Sequence, residues 1–215
     1  MSSSSKVLIT GGTGFVGKWM QKTQPSGLAC HYIGQAEYNT NKWWLDRYDY
    51  FVHLANVDPT EVLKAAKWWF SRVLYCSSGI VYADVDSDYK KTKLDGERKM
   101  MDSHVNYSIA RLFTFFGKGL DDGKAYSQFM NAAREGKPLQ VWGDCTRSYM
   151  HGAELGRQMW DILLNGENRK TYDVGSTRPQ TVLRMAQRIS AFTGAKIEHI
   201  DKEVPMPYYV PKGLK

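Results

Sequence analysis

The sequence predicts an α/β fold: a doubly wound parallel sheet with helices on both faces and a small C-terminal lobe. Three observations predict it. Short β-branched and aliphatic runs alternate along the chain with segments of helical period, the pattern of a parallel sheet that buries both faces. The first run, Lys6-Val7-Leu8-Ile9-Thr10, leads straight into a glycine-rich turn, Gly11-Gly12-Thr13-Gly14-Phe15-Val16-Gly17. A hydrophobic fraction of 42% over 215 residues suffices for one domain, or one domain and a small lobe.

The expected strands are 6–10, 29–33, 50–55, 72–77, 106–112 and 171–174, and the expected helices 15–23, 60–69, 89–102, 125–135, 152–164 and 179–193. In the opening turn, Gly11 permits a tight exit from the strand and Gly14 lets backbone N–H groups approach a pyrophosphate. Gly17 lets the helix pack close to the sheet. The pyrophosphate would sit at a helix N-terminus, where unpaired N–H groups and the helix dipole favour an anion. The run at 72–77 is buried in character and ends in Ser77 and Ser78. Eleven residues after Ser78 comes Tyr89-Lys90-Lys91-Thr92-Lys93, and Tyr89 and Lys93, at i and i+4, share one helix face. A phenol has an ordinary pKa of about 10, too high for a base at neutral pH. A nearby ammonium and the positive ring of an oxidised nicotinamide would favour the phenolate and lower that pKa. A serine hydroxyl can share the hydrogen bond to the reacting oxygen.

With these residues in order, the chain resembles the extended short-chain dehydrogenases/reductases, which include nucleotide-sugar epimerases, dehydratases and reductases. The likeness runs from Lys6 to about Val174. Thr10 to Gly17 resembles the family's TGxxGxxG turn, and Phe51-Val52-His53-Leu54-Ala55-Asn56 resembles its fourth-strand motif beside the cofactor. Ser77-Ser78-Gly79-Ile80-Val81-Tyr82 resembles the active-site serine segment, and Tyr89 and Lys93 match the catalytic pair. Ala110-Arg111-Leu112-Phe113-Thr114-Phe115-Phe116-Gly117, Arg147-Ser148-Tyr149-Met150-His151 and Tyr172-Asp173-Val174-Gly175 resemble later family segments.

The resemblance implies a Rossmann-type sheet with a substrate lobe. The dinucleotide core would span 1–117 and the lobe 118–215, with 171–174 returning as a strand. It implies Ser78, Tyr89 and Lys93 as catalytic residues. Gly11, Thr13, Gly14, Phe15, Val16, Gly17, Gln35, Leu54, Ala55 and Asn56, with Tyr89 and Lys93, would hold the cofactor. Ser78, Thr114 and Arg147 would hold a nucleotide-sugar substrate, Arg147 by its phosphates. The acid expected after the second strand is absent: Gly34 or Gln35 stands there, and Glu37 substitutes only if the loop bends back. An acid there binds the ribose hydroxyls of NAD and repels the phosphate of NADP, so NAD and NADP both stay open, with a slight tilt toward tolerating NADP. Little room exists before Tyr50 for the usual extra strand–helix unit, and the loop from Ser78 to Tyr89 is abbreviated.

Other classes are disfavoured. No apolar run is long enough to span a membrane, and the serine-rich start lacks a signal core, so a cytoplasmic protein is expected. Cys30, Cys76 and Cys145 suggest free thiols in a reducing compartment. The formal charge is +7, but Lys and Arg are dispersed. A basic surface then suits steering of anionic ligands better than nucleic-acid binding. The histidines lack metal-ligand spacing, so no metal is expected. The pairs Trp43-Trp44 and Trp68-Trp69 suggest aromatic anchors of a homodimer, and Trp142 could stack on a base or sugar. The tail, Pro205-Met206-Pro207-Tyr208-Tyr209-Val210-Pro211, reads as extended over the surface.

Family dehydratases carry an Asp-Glu pair after the catalytic Ser/Thr; here Gly79 and Ile80 cannot transfer protons, so dehydration is disfavoured. The serine and Arg147 segments look like UDP-galactose 4-epimerase and its relatives. Tyr89 to Glu97 looks more like dTDP-4-dehydrorhamnose reductase. The expectation is an NAD(P)-dependent nucleotide-sugar epimerase, ahead of a keto-sugar-nucleotide reductase and a non-catalytic dinucleotide-binding protein.

Overall fold

The computed structural model describes residues 4–39, 47–120, 123–143, 145–202 and 208–211, without the side chains of 65–69 and 208. Six strands form the main sheet: β1 (Ser5–Thr10), β2 (Leu28–Ile33), β3 (Tyr50–His53), β4 (Arg72–Ser78), β5 (Tyr107–Leu112) and β10 (Lys170–Val174). Their order is β10-β5-β4-β3-β1-β2, and every pairing is parallel. This is a Rossmann-type α/β sheet. The strand order reverses between β1 and β3, the place where such sheets open a crevice at their carboxyl ends.

Strand residues alternate between two cores. Val7, Ile9, Leu74 and Cys76 face one hydrophobic cluster, while Leu8, Val73 and Tyr75 face the other, as the period-2 geometry of a sheet requires. On the first face lie α1 (Phe15–Lys22) and α6 (Gly152–Asn165). They meet closely because a Cβ on Gly156 would stand 2.8 Å from the Trp19 carbonyl oxygen. The Trp160 indole N–H donates to the Met20 carbonyl at 2.9 Å. The helices α2 (Gln35–Asn39), α3 (Thr60–Trp69) and α4 (Asp88–Asp102) follow β2, β3 and β4 in turn.

After β5 the chain builds the short strands β6 (Thr114–Phe116), β7 (Leu139–Trp142), β8 (Thr146–Arg147) and β9 (Tyr149–His151), with α5 (Ala125–Arg134) between the first two. After β10 come β11 (Gln180–Thr181), α7 (Val182–Thr193), β12 (Ile197–Ile200) and β13 (Tyr208–Tyr209). Phe129, Leu139, Val141, Tyr149, Met185 and Ile189 form a third cluster. No helix among the described residues is long and apolar enough to cross a membrane.

Three expectations change. The strand expected over 50–55 ends at His53, where the chain leaves the sheet and Leu54 and Asn56 line the crevice. The helix expected from 179 begins at Val182, because Gln180 and Thr181 pair antiparallel with Arg147 and Thr146. Where it is described, at 208–211, the tail does not run over the surface. Tyr208 and Tyr209 pair with Thr146 and Arg147, Val210 is 8% exposed, and Pro211 packs near Gly175. Trp43 and Trp44 lie outside the described residues. Trp68 and Trp69 fall on α3 as expected, their side chains being outside the described set.

Candidate functional site

The glycine turn is shaped by contacts that exclude side chains. Gly11 has φ +68°, and a Cβ there would stand 2.9 Å from the Ala55 nitrogen. A Cβ on Gly17 would lie 2.6 Å from the Gly12 Cα. Gly14 N–H donates to the Gly11 carbonyl at 3.0 Å, and Gly12 N–H to the Ile33 carbonyl at 3.0 Å, which ties the turn to β2. Gly14 is the N-cap of α1, without a side-chain cap and with no acid in the first turn. The first N–H groups of α1 therefore face outward at a positive helix end. Phe15 stacks on Phe115 at 5.0 Å, and Val16 lines the cleft beyond.

A buried relay couples this turn to the loop after β3. His53 is fully buried, and burial lowers its pKa to about 4. The ring is thus neutral. Its Nε2 stands 3.1 Å from the Val57 carbonyl, which can only accept, so Nε2 carries the hydrogen. Nδ1 then accepts from the Thr10 hydroxyl at 3.0 Å. Thr10 Oγ1 in turn accepts from Ala55 N–H at 3.5 Å. Leu54 and Asn56 line the cleft beside this relay.

At the end of β2, Thr13 lies beside Gly34: a Cβ there would be 3.2 Å from the Thr13 methyl. Gln35 opens α2, and its side-chain amide donates to Asn39 at 2.9 Å. The Glu37 carboxylate meets His31 Nε2 at 2.7 Å, so it is engaged along β2.

The cleft has a volume of about 610 Å³ and runs from Val16 across the end of β4 to Arg147. Ser78, Tyr89, Lys93, Thr114 and Arg147 all line it. Ser78 ends β4 and caps a single 3-10 turn, Gly79–Tyr82, by accepting from Ile80 N–H at 3.3 Å. Ser87 caps α4 by accepting from Lys90 N–H at 3.2 Å, and this start sets Tyr89 in the first turn and Lys93 one turn on. Lys93 is 4% exposed and donates to the Cys76 carbonyl at 3.0 Å. Its ammonium lies 5.6 Å from the Tyr89 ring centre.

The lysine half of the electrostatic expectation changes. Tyr89 is 43% exposed overall, yet burial of its hydroxyl end raises its pKa, against a lowering pull from Ser78. The Lys93 ammonium gives one of its three hydrogens to the Cys76 carbonyl, and Ser78 is the side chain whose hydrogen bond lowers the Tyr89 pKa.

Behind the cleft, an ionic chain fixes the helix that carries Tyr89 and Lys93. Ser77 donates to Glu97 Oε1 at 2.5 Å. Arg111 on β5 grips the Glu97 carboxylate with both arms, at 2.9 and 2.5 Å. That hydrogen bonding raises the Arg111 pKa. Arg111 also donates to the Tyr82 oxygen at 2.5 Å, and Tyr82 donates to Asp173 at 3.0 Å. In the lobe, Trp142 carries Lys202 over its ring at 4.2 Å.

Arg147 lies in β8, between β11 and β13, and its register partner in β13 is Tyr209. Sequence reasoning missed Tyr209. Its hydroxyl lies 3.1 Å from Ser78 Oγ and 3.4 Å from the Leu112 carbonyl, and its ring packs on Phe113 at 5.1 Å.

The NAD dependent epimerase/dehydratase family model matches residues 29–175, a span that begins after the glycine turn. UDP-glucuronic acid decarboxylase 5 of Arabidopsis thaliana is 24% identical, over 91% of this chain and 77% of its own. Two solved structures are similar in fold. One is Thermus thermophilus UDP-glucose 4-epimerase in complex with NAD, with TM-score 0.82 and 15% identity over 97% of this chain and 91% of that one. The other is Bacillus anthracis dTDP-glucose 4,6-dehydratase in complex with NAD, with TM-score 0.80 and 16% identity over 96% and 87%.

Proposed function

The chain belongs to the NAD-dependent epimerase/dehydratase family, and from that premise we propose that it is an NAD-dependent nucleotide-sugar epimerase that oxidises one sugar hydroxyl transiently. The observation that carries this reading is the convergence of Ser78, Tyr89 and Lys93 at the end of β4, in one cleft with Arg147.

The turn fits a dinucleotide. Its walls are glycine backbone that a Cβ would fill, and the α1 end it leads to is uncapped and free of acids. Gly11, Thr13, Gly14, Phe15, Val16 and Gly17 would hold the diphosphate end, and Leu54, Ala55, Asn56, Tyr89 and Lys93 the nicotinamide end. Gln35, in place of an acid, would sit by the adenosine ribose. When bound, NAD supplies a reversible acceptor for the hydrogen of the sugar C–H bond.

The chain's own residues move and hold the proton. Tyr89 takes the hydroxyl proton as the C–H bond is oxidised and gives it back on reduction. Ser78 donates a hydrogen bond to the reacting oxygen. Lys93 keeps Tyr89 in line by its grip on the Cys76 carbonyl. Dehydration has no support at the positions after Ser78: Gly79 is buried, and a Cβ there would meet the Phe113 ring at 2.6 Å. A carboxylate does not fit that place.

An epimerase regenerates its cofactor in each cycle and need not release it; a reductase exchanges it at every turnover. The expected result is retained NAD(H) in freshly purified, denatured protein and interconversion of two nucleotide sugars without added NAD(P)H. Stoichiometric NADPH consumption by a keto-sugar nucleotide would replace this reading with a reductase. Release of CO2 from UDP-glucuronic acid would replace it with a decarboxylase, the activity named for the Arabidopsis relative. Bound dinucleotide with no conversion would make the protein non-catalytic.

Substrate anchoring gives a separate expectation. Arg147 would hold the substrate diphosphate through charge-assisted bonds. Arg147→Ala is expected to weaken nucleotide-sugar binding by about 1.5–3 kcal/mol and to leave dinucleotide binding nearly unchanged, measured by calorimetry. Equal losses for both ligands, or for neither, would remove Arg147 from that role.

A further inference from the structure

The C-terminal strand β13 places a second tyrosine on Ser78, and hydrogen-bond accounting at Ser78 gives it a task. A serine hydroxyl has one hydrogen to give and two lone pairs to fill. Ile80 N–H donates into Ser78 Oγ at 3.3 Å. The Tyr209 hydroxyl stands 3.1 Å from the same oxygen. Its other acceptor, the Leu112 carbonyl, is farther, at 3.4 Å. The Ile80 N–H also leans on the Tyr209 oxygen, so that oxygen already has a donor, and its one hydrogen, which either Leu112 or Ser78 can accept, has the shorter contact at Ser78.

We propose that Tyr209 is a positioning residue: its O–H donates to Ser78 Oγ, and with Ile80 N–H it occupies both serine lone pairs. The serine hydrogen can then go only into the cleft, toward the Tyr89 oxygen and the substrate oxygen that Tyr89 serves. Without Tyr209 the Ser78 hydroxyl can rotate and accept instead of donate. Burial pushes the Tyr209 pKa up to about 12, so it keeps its proton at any pH at which the protein works. Ser78 lowers the Tyr89 pKa, and a serine fixed as donor does so most strongly. The charged and titratable groups facing this cluster are Cys76 from β4, Tyr89 and Lys93 from α4, and Arg147 from β8.

The inference rests on the reading of Ser78 and Tyr89 as the reacting pair, but its test needs no substrate. The full chain, labelled with 13Cζ-tyrosine, is titrated by NMR as wild type, Tyr209→Phe, Ser78→Ala and the double variant. Tyr209→Phe keeps the ring against Phe113 and the backbone pairing of β13, so the fold is retained; urea unfolding checks this. The expected result is a Tyr89 phenolate-to-phenol ratio about 2–10-fold lower at a given pH in Tyr209→Phe, the effect of one hydrogen bond. Ser78→Ala moves it the same way, and the double variant moves it no further than Ser78→Ala. If Tyr209→Phe raised the ratio, Tyr209 would be the acceptor and Leu112 its partner, and the proposal would be wrong. No change, or additive losses in the double variant, would equally overturn it. Absence of turnover with every nucleotide sugar would sink the proposed function and leave this titration to decide the Tyr209 question alone. Where a substrate is found, Tyr209→Phe lowers kcat with little change in KM.

Discussion

Tyr89→Phe is expected to lower kcat by about 10²–10⁴-fold on a confirmed nucleotide sugar, the usual contribution of a positioned acid–base group. The phenyl ring keeps the place of the phenol beside the Lys93 ammonium, 5.6 Å from the ring centre, so fold and cofactor binding stay nearly intact. The loss therefore appears in kcat while retained NAD(H) is unchanged. The wild-type rate should rise from neutral toward alkaline pH, because burial raises the Tyr89 pKa and the reactive phenolate is the minor form at pH 7. Wild-type kcat in the Phe variant would take Tyr89 out of the chemistry.

The second large effect concerns stability. Glu97 is 2% exposed and is gripped by both arms of Arg111. Glu97→Leu leaves that guanidinium without its charge partner in a buried place, and also leaves the Ser77 hydroxyl without its acceptor. Breaking one side of a buried ion pair costs about 3–5 kcal/mol, a large part of the 5–15 kcal/mol typical of a domain. Urea unfolding should show the midpoint fall at constant slope, by that free energy divided by the slope. Glu97→Leu combined with Arg111→Met should recover much of the loss, since the uncompensated charge is then gone. A single-variant loss under about 1 kcal/mol would mean that water reaches Arg111 and that the pair behaves as a surface bridge.

The sheet was legible because its strands are nearly continuous apolar runs and its first turn needs glycine at fixed places. Ser78, Tyr89 and Lys93 were legible because a strand end and an i,i+4 helix spacing bring them together by local geometry alone. What failed depends on distance along the chain. Tyr209 lies 131 residues from Ser78 in a proline-rich tail, where nothing local marks an inward turn. Strands of two residues, such as β8, β11 and β13, are too short to carry a period. Glu97 reads as one more charge on a helix with mean character toward solvent; only Arg111, arriving on β5, makes it a core residue. Lys93 lines the same cleft as Ser78 and Tyr89, but it donates to a main-chain carbonyl, which no side-chain pattern announces.

The packing of α1 on α6 has a consequence for the order of assembly. The backing of the glycine turn comes from residues 152–165, more than a hundred positions after the turn itself. As the chain emerges from the ribosome, β1, its turn and α1 are made well ahead of α6, and the surface of α1 that bears Trp19 and Met20 stays uncovered by α6 until that helix has left the exit tunnel. Long-range contacts of this kind slow folding, and bare apolar faces are hazards during synthesis. The segment that would grip the dinucleotide therefore gains its backing helix only after more than a hundred further residues have been synthesised.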